Sequence, residues 1–198
     1  MFAVTRLLPS VLNASDLPLP ELAAARLDGE VYAIDECFAP IDQANTSRAR
    51  AHALWSLVGD RAIAEGESAL WIYGHLNDPP PRHTLCVPRT NRITVFRTGR
   101  TIVRETRMAE GDTQLIDRMQ VTSPTRTAFD LVMSPAFGSG EHAALVWLIG
   151  RLGADVAACR SRIGTTMRLP GRRAALDRLE AVADLGVSNQ PALTRYTS

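Results

Sequence analysis

The chain contains no lysine, and all 22 of its basic residues are arginine. This absence excludes reactions that need a lysine amine, such as Schiff-base catalysis, and it excludes the lysine of a P-loop. It also excludes the lysine of a restriction-type nuclease site. Arginine cannot take over these roles, because its guanidinium stays protonated and cannot act as an amine nucleophile.

Cysteine and histidine are also scarce. The three cysteines, Cys37, Cys86 and Cys159, are far apart and form no CxxC pair, so we expect neither a cysteine zinc site nor a disulfide framework. None of the four histidines has a second histidine four residues further on. We therefore expect no metal, no cofactor and no enzymatic activity. His83 follows an arginine and a proline run, and we expect it to be exposed.

Long hydrophobic runs are absent. The longest one, residues 143–150, is far too short to span a bilayer, and the N-terminus has no signal-peptide pattern. The chain is 45% hydrophobic with a mean hydropathy of −0.05, which is typical of a globular protein with a real core. These features predict a cytoplasmic protein that does not contact membranes.

Charge is distributed unevenly along the chain. Residues 82–107 carry seven arginines against one acid, whereas residues 1–81 carry five arginines against eleven acids. Clustered arginines attract phosphate and can donate two hydrogen bonds to it. Nucleic-acid contact, an acidic protein partner and a solvated surface all remain open as interpretations. The candidate nucleic-acid-binding residues are Arg26, Arg82, Arg89, Arg92, Arg97, Arg100, Arg104 and Arg107.

Residues 1–45 are predicted to form a small N-terminal unit. Pro20 suits the first turn of a short helix that Asp28 and Gly29 end. The segments 30–34 and 37–41 then predict a β-hairpin around Asp35 and Glu36. A helix, a glycine turn and a two-stranded ribbon are typical of the back half of a winged helix-turn-helix, although an acidic ribbon tip repels phosphate.

Residues 46–198 are predicted to form a second, larger α/β domain. Helical spacing indicates helices over residues 46–58 and 65–73, and short strands are predicted at 61–64, 84–87, 92–96, 101–106 and 119–122. Ser123 and Pro124 predict the start of a helix, with further helices at about 139–152, 154–163 and 171–185. The expected fold class is therefore α/β (α+β), with an abbreviated winged-helix-like unit, a mixed sheet and C-terminal helices.

The segment VTSPTRTAFDL, residues 121–131, resembles the VTSPxRTxxDL signature of AbiEi-family antitoxins of actinobacteria. Upstream, residues 19–30 and 68–74 are similar to the family's ELxxxRLDGE and SAAWxxG segments. Within the signature we single out Ser123, Pro124, Arg126 and Asp130. Arg126 and Asp130 are one helical turn apart, and we interpret them as a structural ion pair.

The resemblance implies a bacterial transcriptional repressor that acts as the antitoxin of a type IV-like toxin–antitoxin system. It implies binding to operator DNA of its own operon and a nucleotidyltransferase-like toxin as partner. Two alternatives remain: a protein-interaction module that neutralises the toxin without binding DNA, and a degenerate relative of a Vsr-like nuclease. The oligomeric state stays open.

Overall fold

The computed structural model describes residues 9–89, 99–165 and 170–187. The chain divides into two compact units, Met1–Thr122 and Ser123–Ser198. This division does not coincide with the domain boundary predicted after residue 45, because the N-terminal hairpin shares a hydrophobic core with the elements that follow it. Ile34 and Cys37 of that hairpin lie in one buried cluster with Leu54 and Leu85.

The first unit begins with a helix and a hairpin, as predicted. Helix α1 (Leu19–Leu27) carries a proline in its first turn and is followed by the antiparallel strands β1 (Val31–Ile34) and β2 (Cys37–Pro40). Gly29 has a positive φ of 75°, which allows the reversal from helix to strand. Leu12 pairs with Phe38 through two backbone hydrogen bonds of 2.7 and 2.8 Å and thereby extends the ribbon.

A five-stranded mixed sheet completes the first unit. Its elements are α2 (Ser47–Val58), β3 (Ile63–Ala64), α3 (Gly66–Tyr73), β4 (His83–Pro88), β5 (Thr101–Thr106), β6 (Thr113–Ile116) and β7 (Met119–Thr122). The strand order is β5-β4-β3-β7-β6, with β4 parallel to β5 and β3 parallel to β7. Thr46 caps α2 with its side chain, and Gly74 ends α3 in the left-handed conformation. The predicted strand at 92–96 lies outside the described residues.

The second unit consists of four helices: α4 (Pro124–Val132), α5 (Ser139–Leu152), α6 (Val156–Thr165) and α7 (Arg172–Val187). All four lie close to the predicted positions. Arg178 donates from Nη1 to the carbonyls of Val132 and Ser134, at 2.6 and 2.9 Å, and so satisfies carbonyls at the end of α4. Among the described residues, no helix combines the length and apolar character needed to cross a bilayer.

Candidate nucleic-acid interface

The register of β4 and β5 brings the arginines at their ends together in two pairs. The parallel pairing runs from His83 opposite Thr101 to Pro88 opposite Thr106. The flanking residues continue it, because the His83 N–H donates to the Arg100 carbonyl at 2.7 Å and the Arg89 N–H donates to the Thr106 carbonyl at 3.1 Å.

Neighbouring strands lie about 4.8 Å apart. Arg82 therefore lies beside Arg100 at the amino ends of the strands, and Arg89 lies beside Arg107 at the carboxyl ends. We call these the amino-end pair and the carboxyl-end pair. Since β5 is an outer strand of the five-stranded order, both pairs lie at one side of the sheet.

Arg100, in the amino-end pair, is bound by the acidic tip of the N-terminal hairpin. Its Nη2 donates to the Asp35 carboxylate, and its Nε lies 3.1 Å from Oε1 of Glu36. The Arg100 side chain is 36% exposed, while the Asp35 side chain is completely buried. Much of the positive charge of the Arg100 guanidinium is therefore neutralised by carboxylates of the same molecule.

Arg104, in the middle of β5, is engaged by a second carboxylate. Its Nε and Nη2 donate to the two carboxylate oxygens of Glu65, at 2.5 and 2.8 Å. The Glu65 side chain is 6% exposed, so this two-pronged bond compensates a nearly buried charge at the start of α3. The contact stabilises the fold and leaves Arg104 less able to bind phosphate.

Four of the remaining candidates are exposed side chains. Arg26, Arg82, Arg89 and Arg107 are exposed. Within the described part of the chain, Arg26, Arg82 and Arg89 form no ion pair. Arg92 and Arg97 lie outside the described residues. Among the described candidates, the structure brings Arg82, Arg89, Arg100 and Arg107 into two pairs, and it binds Arg100 and Arg104 to carboxylates.

His83 contradicts its expected exposure, because its side chain is completely buried. Its Nε2 lies 3.0 Å from Oδ2 of Asp35, and its Nδ1 lies 3.0 Å from Oγ of Ser68. Since a carboxylate can only accept, Nε2 donates to Asp35. Ser68 Oγ accepts the Thr84 N–H at 2.9 Å, so its own hydroxyl donates to Nδ1. The expectation failed because sequence neighbours predict exposure only for a loop, whereas His83 is the first residue of the inner strand β4.

Burial alone would raise the pKa of Asp35. Hydrogen bonds from His83 and Arg100, together with the positive charge of Arg100, outweigh this effect, and the pKa of Asp35 is lowered. Asp35 also has a positive φ of 53°, which aspartate tolerates better than most residues. The hairpin tip is therefore held in place as a charged carboxylate.

Asp35, His83 and Ser68 have the residue types of a nucleophilic triad, but not its accessibility. The residues Ser68 and His83 are both 0% exposed, and the Asp35 side chain is 0% exposed as well. A nucleophilic hydroxyl must reach a substrate carbonyl, and that of Ser68 lies in the core. The three residues form a buried polar network that joins the hairpin tip to α3 and β4.

The signature helix has the geometry that the sequence indicated. Ser123 Oγ accepts the Arg126 N–H at 3.3 Å and caps α4, and Pro124 occupies its first turn. Arg126 is buried and donates from Nε to Asp130 at 2.9 Å, four residues on. The Arg162 guanidinium lies 4.7 Å from the Phe129 ring centroid. These contacts act within the second unit and give Arg126 and Asp130 a structural role.

In the described ranges, no cluster of three or more histidine, cysteine, aspartate or glutamate side chains could hold a metal ion. The His52–Asp117 pair, with Nδ1 and Oδ2 2.8 Å apart, is too small a set of ligands for one.

Comparison with known proteins identifies the family of this chain. The model of the AbiEi antitoxin C-terminal domain matches residues 62–175, more than half of the chain. No curated protein sequence matches. Among solved structures, the RV2827C protein from Mycobacterium tuberculosis is similar, with 16% identity, a TM-score of 0.47 and coverage of 96% of this chain and 78% of that chain. The matched residues include the five-stranded sheet from β3 onward, α4 to α6 and the signature segment. The chain therefore belongs to the AbiEi antitoxin family and is an antitoxin of a toxin–antitoxin system.

Proposed function

We propose that this antitoxin is also a DNA-binding transcriptional regulator that binds the operator of its own operon in the bacterial cytoplasm. The observation that carries the proposal is the β4–β5 register, which pairs Arg82 with Arg100 and Arg89 with Arg107 along one side of the sheet. Each guanidinium can donate two hydrogen bonds to one phosphate, and neighbouring guanidinium groups supply charge that increases both affinity and association rate.

Within this proposal the carboxyl-end pair makes the main phosphate contacts. Arg89 and Arg107 are both exposed, while Arg100 at the other end is bound to Asp35 and Glu36. The N-terminal helix and the two-stranded ribbon that follows it support the proposal, because this order of elements is typical of the back half of a winged helix-turn-helix.

The test is the affinity for a duplex carrying the upstream region of its own gene, measured over a salt series. The double variant Arg89→Gln, Arg107→Gln should weaken binding about tenfold or more. It should also reduce the slope of log affinity against log salt concentration by the amount that corresponds to about two phosphate contacts. Arg61→Gln is the matched control, since Arg61 is exposed on the same unit but lies outside the arginine-rich stretch. Salt-independent binding, or an equal loss in the control, would contradict the proposal.

A second candidate function is neutralisation of a nucleotidyltransferase-like toxin by direct protein contact. It is favoured by the exposed apolar side chains of the N-terminal unit, because Leu19, Leu27 and Ile41 are 59%, 89% and 64% exposed. Leu19 and Leu27 are eight residues apart on α1 and share one face. A helix that reads DNA would present polar and cationic side chains there instead.

The two functions separate in one pair of measurements. Leu27→Gln should abolish co-purification with the toxin if α1 is the contact, while leaving DNA affinity unchanged. Leu115→Gln is the control, because Leu115 is 62% exposed on β6 and is also apolar. If Leu27→Gln still co-purifies with the toxin at the wild-type level, α1 is not the docking face.

A further inference from the structure

The N-terminal hairpin places two carboxylates on one guanidinium of the proposed DNA-binding edge. Asp35 and Glu36 are consecutive at the turn between β1 and β2, and both contact Arg100, which is 65 and 64 positions further along the chain. The amino-end pair is thus opposed by two negative charges.

The two carboxylates are held very differently. Asp35 is buried and receives a hydrogen bond from His83, so it belongs to the packed network around Ser68. Glu36 is 55% exposed, and its Oε1 lies 3.1 Å from the Arg100 Nε, a nitrogen atom that solvent does not reach while Glu36 is in place. An ion pair whose carboxylate is more than half exposed is weak, and the carboxylate exchanges readily with water and other anions. A phosphate can therefore compete with Glu36, but not with Asp35.

We propose that the Asp35–Glu36 tip is an autoinhibitory contact, in which Glu36 occupies the site on Arg100 that a DNA backbone phosphate takes on binding. This inference rests on the proposed DNA binding. Asp35 keeps Arg100 oriented throughout, because it bonds to Nη2, and Glu36 is the part that moves away. The acidic tip then lowers the affinity for short or weakly charged anions. A polyanion contacts the amino-end pair only when its phosphates attract Arg100 strongly enough to displace Glu36.

The test compares Glu36→Gln with Glu30→Gln. Both variants remove one negative charge from an exposed residue next to or within the hairpin, but Glu36 contacts Arg100, whereas Glu30 forms no ion pair in the described part of the chain. Binding to a fluorescent duplex of its own upstream region is measured by anisotropy between low and physiological salt. The duplex is used with the full chain.

Glu36→Gln should bind the duplex about three- to tenfold more tightly than wild type, because the phosphate no longer has to displace a carboxylate from Arg100. Its log–log salt slope should stay close to that of wild type, since both proteins form the same phosphate contact in the complex. Glu30→Gln should change affinity less, because it removes no competitor from Arg100. Equal affinities of the two variants, or Glu36→Gln binding no more tightly than wild type, overturn the autoinhibitory contact while leaving DNA binding intact. If neither wild type nor Glu36→Gln binds the duplex, the proposed function itself fails.

Discussion

Replacing His83 by leucine tests the buried network that holds the hairpin tip. Leucine has a similar volume, so packing changes little, but Asp35 loses a hydrogen bond and the Ser68 hydroxyl loses its acceptor. A hydrogen bond to a charged group contributes about 1.5–3 kcal/mol, and an orphaned buried hydroxyl costs about 1 kcal/mol or more. Burial of the apolar leucine offsets roughly 1 kcal/mol of this. We expect the free energy of unfolding to fall by about 2–3 kcal/mol.

The assay is urea unfolding followed by tryptophan fluorescence, since the Trp71 ring lies 5.6 Å from the His83 ring. His142→Leu is the control: His142 is half-buried in the second unit and contacts the Phe137 ring edge-on. A double-mutant cycle with Asp35→Asn should give a coupling of about 1 kcal/mol or more. A His83→Leu variant as stable as wild type, or a coupling near zero, would refute the argument that the imidazole holds the tip.

The same network predicts an acid-sensitive component of stability. The pKa of Asp35 is lowered from 3.8 in the folded protein, so the unfolded chain binds this proton more readily. Stability from Asp35 is therefore fully present above the unfolded pKa and is lost as pH falls through the folded pKa. As pH falls below 3.8, wild type should lose stability more steeply than Asp35→Asn. Parallel pH curves of the urea midpoint would show that Asp35 contributes nothing.

Two further substitutions and one labelling experiment have definite expected outcomes. Arg104→Gln leaves the nearly buried Glu65 carboxylate without its two-pronged partner and should cost about 1–3 kcal/mol in urea unfolding, the lower end because Arg104 is half-exposed; a loss below 0.5 kcal/mol, roughly that of an ordinary surface change, would contradict the pairing. Ser123→Ala removes the cap of α4 and should cost about 1 kcal/mol by the same measurement. Burial raises the pKa of Cys37 and of Cys159 to about 11, so both thiols should react with an alkylating reagent at pH 8 only after unfolding; fast labelling of the native protein would refute this.

The helices were predictable because their ends are determined locally. The adjacent residues Ser123 and Pro124 mark the start of α4. Ser123 caps the helix by accepting a backbone N–H of its first turn, and Pro124 suits the first helical position because it has no N–H to donate. Thr46 and Gly74 define the ends of α2 and α3 by the same chemistry. Such signals act over three or four residues, and no knowledge of the rest of the fold is needed to use them.

The sheet was less predictable because its pairing is non-local. The sequence indicates strands near β4 and β5, but nothing in it specifies that His83 pairs in parallel with Thr101, 18 positions later. Strand β6 carries no strong alternation and was not predicted, and it is recognised only through its antiparallel pairing with β7. A register is decided by which side chains become buried together, and this depends on elements far away in sequence.

The candidate interface shows the same limit in terms of charge. Counting arginines between residues 82 and 107 indicates a basic stretch, but the count assigns every guanidinium the same availability. Arg100 and Arg104 bind carboxylates 65 and 39 positions away, and both partners lie in the acidic N-terminal stretch that the count treats separately. Local excess charge is therefore an upper limit on the charge a partner can use. Carboxylates from the acidic residues 1–81 thus neutralise part of the basic stretch 82–107. Arg82 and Arg89, which form no ion pair in the described part of the chain, are available to a phosphate without first displacing a carboxylate.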